Sequence, residues 1–153
     1  MQRARPAAAL SQNREDERSL RVTLQFMLDT DSVSFALRGR GNVGARILEH
    51  RPSELCVSSI TVAELRYGAE RRKSAGLHQL IETFTSNVAV VPFDESCAME
   101  FGITGAEWAE RGAPIGEFDV LIAAHALTLG VTLVSTNIRR FSRLRRLRVE
   151  NWV

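Results

Sequence analysis

Leu24-Gln25-Phe26-Met27-Leu28-Asp29 is an apolar run that ends on a carboxylate. An aspartate placed directly after a strand has no core to pack into. Its side chain either faces the sheet edge or caps the helix that follows. The same grammar returns along the chain. Leu55–Ser59 reads as a second strand, Val88–Val91 as a third that Pro92 stops, Val131–Ser135 as a fourth and Arg148–Trp152 as a last one. Helical spacing fills the intervals. A short helix starts at Val33–Leu37, Asn42 stands where it would cap Val43–His50, and Leu77, Leu80, Ile81 and Phe84 share one face. Asp94 is placed to cap a long helix reaching Arg111, Gly112–Gly116 reads as a loop, and an apolar helix opened by Asp119 ends at Gly130. Strands alternating with helices predict an α/β fold, with a central, mostly parallel sheet of four to five strands and helices on both faces.

That sheet gives the acidic residues a common address. In a parallel sheet the carboxyl ends of all strands lie along one edge, where ligands bind. Asp29, Glu64 and Asp119 each sit where an apolar segment ends or a helix begins, and Asn137 follows the fourth strand. Carboxylates brought together repel unless a proton or cation relieves them, and a hard divalent metal is the usual remedy. Each residue also has a structural alternative. Asp29 and Asp31 can cap the short helix after the first strand. Thr61-Val62-Ala63-Glu64 matches a capping box, in which threonine and glutamate satisfy each other's backbone donors. Asp119 suits the positive end of a helix dipole, and Asn137 suits a turn. His125 lies among alanines and reads as a packed histidine.

Composition sets the outer bounds. At 153 residues, 44% apolar and 25% charged, the chain has the balance of one soluble domain. No apolar run approaches the roughly 20 residues of a membrane span, and Ala7-Ala8-Ala9-Leu10 is too short for a signal core. Cys56 and Cys97 lie inside apolar segments without metal-type spacing, which points to buried, reduced thiols and a cytoplasmic protein. Residues 1–22 are polar and without a sustained period, and read as a disordered extension before one domain over 23–153.

The net charge of +2 sits in residues 1–26, and the remainder is neutral. Within that neutral body, six arginines crowd between Arg139 and Arg148. A basic patch beside an acidic cluster suits a protein that handles a phosphate backbone, though a solvated arginine face explains it as well.

Four ordered stretches together resemble the PIN-domain nucleases, and within them the VapC-type toxins of bacterial toxin–antitoxin pairs. They are Met27-Leu28-Asp29-Thr30-Asp31-Ser32-Val33-Ser34, Ser58-Ser59-Ile60-Thr61-Val62-Ala63-Glu64-Leu65-Arg66-Tyr67-Gly68, Ile115-Gly116-Glu117-Phe118-Asp119-Val120-Leu121-Ile122-Ala123-Ala124-His125-Ala126, and Val134-Ser135-Thr136-Asn137-Ile138-Arg139-Arg140-Phe141. The tail Leu147–Trp152 is similar to the family's ending, so the likeness covers residues 24–153. The resemblance implies a three-layer α/β/α PIN-like fold and a Mg²⁺-dependent (or Mn²⁺-dependent) endoribonuclease that inhibits translation. It places the catalytic residues at Asp29, Glu64, Asp119 and Asn137, with Asp29 and Asp119 as metal ligands, Thr30 and Ser135 in support, and Arg139, Arg140 and Arg143 against RNA. It further implies a VapB-type antitoxin and a homodimer. The apolar residues of the helices after Glu64 (Leu65, Tyr67, Leu77, Leu80, Ile81 and Phe84) would supply a groove or dimer contact, at least half of them being core. Two departures stand out. Asp31 replaces a common asparagine and adds charge, while Asn137 puts an amide where an aspartate often stands, weakening any second metal.

Four other readings compete. Asp29-Thr30-Asp31 also resembles the opening of haloacid-dehalogenase phosphatases. Those enzymes, like phospho-acceptor response regulators, need a lysine after a later strand, and the only lysine, Lys73, falls between two helical segments. A PIN-like fold acting as a DNA nuclease, or as a non-catalytic nucleic-acid- or partner-binding module, is the alternative that metal-dependent RNA cleavage discriminates.

Overall fold

Side chains along a strand point to opposite faces in turn, so Met27 and Leu28 must serve different sides of the sheet. In the computed structural model, which describes residues 23–112 and 116–153, they do. The lead-in expected to be disordered, 1–22, and the centre of the loop expected at 112–116 lie outside the described residues. Five strands form one sheet: β1 Phe26–Leu28, β2 Leu55–Ser58, β3 Ala89–Val91, β4 Thr132–Val134 and β5 Val149–Glu150. Their order is β3-β2-β1-β4-β5 and every pairing is parallel, so the expected mostly parallel sheet is wholly so.

Seven helices among the described residues connect the strands: α1 Thr30–Leu37, α2 Val43–Leu48, α3 Ser59–Arg71, α4 Ala75–Asn87, α5 Glu95–Glu110, α6 Glu117–Leu129 and α7 Ile138–Phe141. Met27, Cys56 and Leu133 pack on one face against Trp108 of α5 and Ile122, Ala123 and Ala126 of α6. Leu28, Leu55, Val57 and Val134 pack on the other against Val33, Leu65, Ala69 and Ile81 from α1, α3 and α4. The result is a three-layer α/β/α domain. Because β1 leads leftward to β2 and β4 rightward to β5, the chain diverges between β1 and β4 and opens a crevice at their carboxyl ends.

Several helix starts differ from expectation. The capping box at Thr61–Glu64 does not form. Ser58 caps α3 instead, its hydroxyl accepting the Ile60 amide at 3.1 Å, so the helix begins directly at the strand's end. Thr61 is thereby buried in the first turn and Glu64 moves to the second, free of any capping duty. Helix α1 starts at Thr30 rather than Val33, because Asp29 caps it through Ser32 N–H at 2.8 Å. Helix α6 starts two residues before Asp119. Asn42 makes no side-chain cap, and α2 stops at Leu48 instead of His50. Asp94 caps α5 as expected, through Cys97 N–H at 3.1 Å. Gly130 ends α6 at φ 67°, a left-handed turn open to glycine at little cost.

Both cysteines are free and buried, and burial pushes the Cys56 thiol up to about 12, which makes it inert. Trp152 closes one end, stacked on His50 with ring centres 4.9 Å apart and 5.0 Å from the Phe26 ring. Of the apolar residues after Glu64, Leu65 and Ile81 are core and Leu77 and Phe84 half-buried, while Leu80 and Tyr67 are exposed. No described helix is long and apolar enough to cross a membrane.

A candidate acidic active site

The crevice between β1 and β4 is built on backbone hydrogen bonds. Asp29 N–H donates to the Val134 carbonyl at 2.9 Å, which holds the first residue after β1 against the end of β4. The Ser32 hydroxyl donates to the same carbonyl at 3.1 Å. Asp29 is therefore almost wholly buried, at 3% exposure, with Oδ1 occupied by the Ser32 amide. Burial raises the proton affinity of its carboxyl, and hydrogen bonds from Ser135 and Ser32 work against that rise. The fully buried Ser135 hydroxyl also accepts the Asn137 N–H at 3.0 Å. One hydroxyl thus couples Asp29 to the turn that carries Asn137.

Glu64 reaches the same crevice from α3. Thr30 Oγ1–H donates to its Oε1 at 2.7 Å and lies 3.4 Å from Thr61 Oγ1. Desolvation raises the Glu64 carboxyl above its ordinary value. The Thr30 bond opposes this, while the fields of Asp119, Asp31 and Asp29 add to it. Three other acids thus lie near enough for their charge to act on Glu64. Asp119, in the first turn of α6, is likewise raised, first by burial and also by Asp31, against the Arg140 guanidinium. Arg140 Nη1 stands 3.2 Å from Asp119 Oδ2.

The sequence-predicted residues do not all play the expected parts. Asp29, Thr30, Glu64, Asp119, Ser135 and Asn137 come together, with Asn137 half-buried at the head of α7 and its side chain making no cap. Asp31 is exposed at the rim yet acts electrostatically on both Glu64 and Asp119. All three arginines are exposed, and Arg140 alone of them pairs with one of the acids, Asp119, among the described residues. Sequence reasoning missed that pairing, and missed Ser32 as a second tie to β4. His125 is buried below the site, with Nδ1 2.8 Å from the Ser58 hydroxyl and the ring edge-on to Phe93, a packed histidine as expected.

Among the described residues no three His, Cys, Asp or Glu side chains stand close enough to hold a metal ion as placed. Thr30 and Arg140 take up oxygens of Glu64 and Asp119 instead. The donor chemistry nevertheless fits a hard divalent cation. Every ligand offered is oxygen, the carboxylates are destabilised as anions, and Mg²⁺ needs only one or two of them beside its waters.

Residues 26–147 match the PIN domain family. Ribonuclease VapC2 of Haemophilus influenzae (strain ATCC 51907) is 41% identical over 131 residues, covering 85% of this chain and 99% of that protein. The tRNA(fMet)-specific endonuclease VapC of Salmonella typhimurium is 35% identical over 130 residues, covering 84% and 98%. Among solved structures, VapBC2 from Rickettsia felis bound to a promoter DNA fragment superposes with a TM-score of 0.76 at 30% identity, over 85% of this chain and all of that one. DNA-bound VapBC from Salmonella typhimurium gives 0.76 at 36% identity, over 85% and 99%.

Proposed function

The chain belongs to the PIN-domain family, and from that membership we propose that it is a divalent-metal-dependent endoribonuclease, the toxin half of a VapBC-type toxin–antitoxin pair acting in the cytoplasm. The observation that carries this reading is the placement of the acids at the β1–β4 crevice, with Asp29 tied to the end of β4, Glu64 held by Thr30 and Asp119 by Arg140; burial first, and then the charge of Asp119, Asp31 and Asp29, raise the Glu64 carboxyl there. Such a cluster is costly for the fold and useful to a cation. The relatives' names extend it to chemistry, since they are called ribonuclease VapC and tRNA(fMet)-specific endonuclease.

Asp29 and Asp119 would hold the cation, Mg²⁺ or Mn²⁺, which when bound supplies a water of lowered pKa and positive charge facing the scissile phosphate. The chain's own residues do the rest. Ser135 and the Ser32 amide hold Asp29 in one orientation. Glu64, kept in place by Thr30, is a carboxylate with raised proton affinity, suited to hold the attacking water and receive its proton. Asn137 offers an amide to orient that water without adding charge, which favours one ion over two. Arg139 and Arg143 are exposed and open to phosphate contact.

A nuclease that arrests growth requires an inhibitor, and the solved relatives are VapBC complexes. A VapB-type antitoxin would set an amphipathic helix on the exposed apolar surface of α3 and α4 and a basic side chain among the acids. A second copy of this chain is the other expected partner. Met99 and Ile103, 72% and 59% exposed and one turn apart on α5, offer it a surface.

The test is cleavage of RNA, tRNA(fMet) first, by the purified chain with Mg²⁺ or Mn²⁺. Asp29→Asn and Asp119→Asn should each reduce cleavage to background with the circular dichroism spectrum unchanged. Full activity in EDTA, or in the double variant, rejects the metal mechanism, and cleavage of DNA alone favours the DNA-nuclease alternative.

A further inference from the structure

A groove of about 460 Å³ begins at Thr30 and Glu64 and runs away from the acids between α1, α3 and the start of α4. That volume lies in the range of pockets that enclose a small ligand, or a nucleotide of a longer strand. Leu65, Leu77 and Leu80 give it apolar lining, and Arg38 and Arg72 flank it. Both arginines are exposed, and among the described residues neither side chain has an ion-pair partner. Nearby arginines differ: Arg66 is bound to Glu82 at 2.7 Å and Arg46 lies 3.4 Å from Glu49. Arg38 and Arg72 are the C-caps of α1 and α3, where the helix dipole favours a cation. The dipole explains one arginine at each helix end. It does not explain why both ends converge on one groove that opens onto the acidic crevice.

Resting on the ribonuclease reading above, we propose that this groove is the substrate subsite for the single-stranded RNA nucleotides next to the scissile bond, with Arg38 and Arg72 binding their phosphates. A strand whose scissile phosphate lies among the carboxylates continues on either side of it. Charge alone would repel that strand from the acids, so cations adjacent to the crevice must offset the repulsion. Unstacked bases present apolar faces and phosphates present charge, and a leucine-lined trough with a guanidinium on each flank complements both. The inhibitor helix placed above on α3 and α4 would overlap the same leucines and so exclude the strand, while Arg38 and Arg72, without an ion-pair partner among the described residues, match the strand's phosphates.

The experiment measures binding of a fluorescein-labelled single-stranded RNA oligomer by anisotropy in EDTA, where no cleavage occurs, and separately measures KM and kcat with Mn²⁺. Arg38→Ala/Arg72→Ala should weaken binding at least tenfold and raise KM with kcat little changed. The slope of log K against log salt should become shallower by roughly 1.4, about 0.7 for each single-strand phosphate that the protein no longer neutralises. Arg38→Lys/Arg72→Lys should recover most of the affinity, and Mn²⁺ binding should stay at the wild-type level in both. Wild-type cleavage of RNA combined with unchanged affinity and slope in the alanine variant overturns this subsite alone. Loss confined to binding of the neighbour-encoded inhibitor also overturns it and assigns the groove to a protein. A wild-type chain that neither binds nor cuts RNA overturns it together with the ribonuclease reading.

Discussion

Arg140 Nη1 lies 3.2 Å from Asp119 Oδ2, so one of the acids suited to a cation already has a counter-ion from its own chain. The guanidinium lowers the proton affinity that burial raises at Asp119. It occupies an oxygen that a metal would use, and metal binding has to displace it.

Removing that competitor should tighten the metal. Arg140→Ala is expected to bind Mn²⁺ about 1.4-fold to fivefold more strongly, matching the roughly 0.2–1 kcal/mol of a solvent-accessible ion pair. Calorimetric titration in low salt measures it. Equal affinities in the two proteins would mean that Arg140 leaves the site without cost.

The raised carboxyls make a pH prediction whose sign can be worked out. Asp29, Glu64 and Asp119 all bind protons more tightly in the folded state than ordinary carboxyls do. Their contribution to stability is therefore complete below the usual carboxylate range and is lost as pH rises through the elevated folded values. The metal-free protein should lose melting temperature relative to an Asp119→Asn variant as pH climbs from 4 to 7. Saturating Mn²⁺ should restore the wild type and not the variant. A pH-independent gap between the two proteins would contradict this account.

Ser135 carries two duties on one hydroxyl, toward Asp29 and toward the Asn137 amide. Ser135→Ala leaves the half-buried Asn137 N–H without its acceptor and takes a hydrogen bond from buried Asp29, at a cost of about 1–3 kcal/mol. Cleavage should fall roughly 10- to 100-fold, the range seen when supporting groups around a metal site are removed, with KM for RNA unchanged. A rise in KM at constant kcat would place Ser135 in binding instead.

Lys73 has φ 50°, the only described non-glycine residue in the left-handed region, where it follows the C-cap of α3. Lys73→Gly should stabilise the fold by about 0.5–1 kcal/mol, because glycine occupies that region without the Cβ clash. Chemical denaturation reads the change, and cleavage should be unaffected.

The architecture was legible in the sequence because apolar runs and helical spacing are long-range regular signals. Asp29 and Asn137 could be placed because each ends a strand. Glu64 was harder. The pattern Thr61–Glu64 satisfies a local rule, and a serine at the very end of β2 overrode it by starting the helix early. The Thr30–Glu64 bond joins residues 34 positions apart, and Arg140–Asp119 joins residues 21 apart, so no local spacing reveals either. The groove was invisible for the same reason, since α1, α3 and α4 become neighbours only through packing.

Leu28 pairs in register with Val134, and Asp29 N–H needs the Val134 carbonyl. This pairing spans about two thirds of the chain, and contacts so distant in sequence form slowly and late. During synthesis, β1 leaves the ribosome long before β4 exists. A nascent chain ending short of Ser135 has Asp29 without the strand that positions it. The nuclease centre is thus assembled only once β4 has been made. Prematurely terminated products should be harmless to the cell that makes them, which leaves time for an inhibitor made alongside to be present when the site first closes.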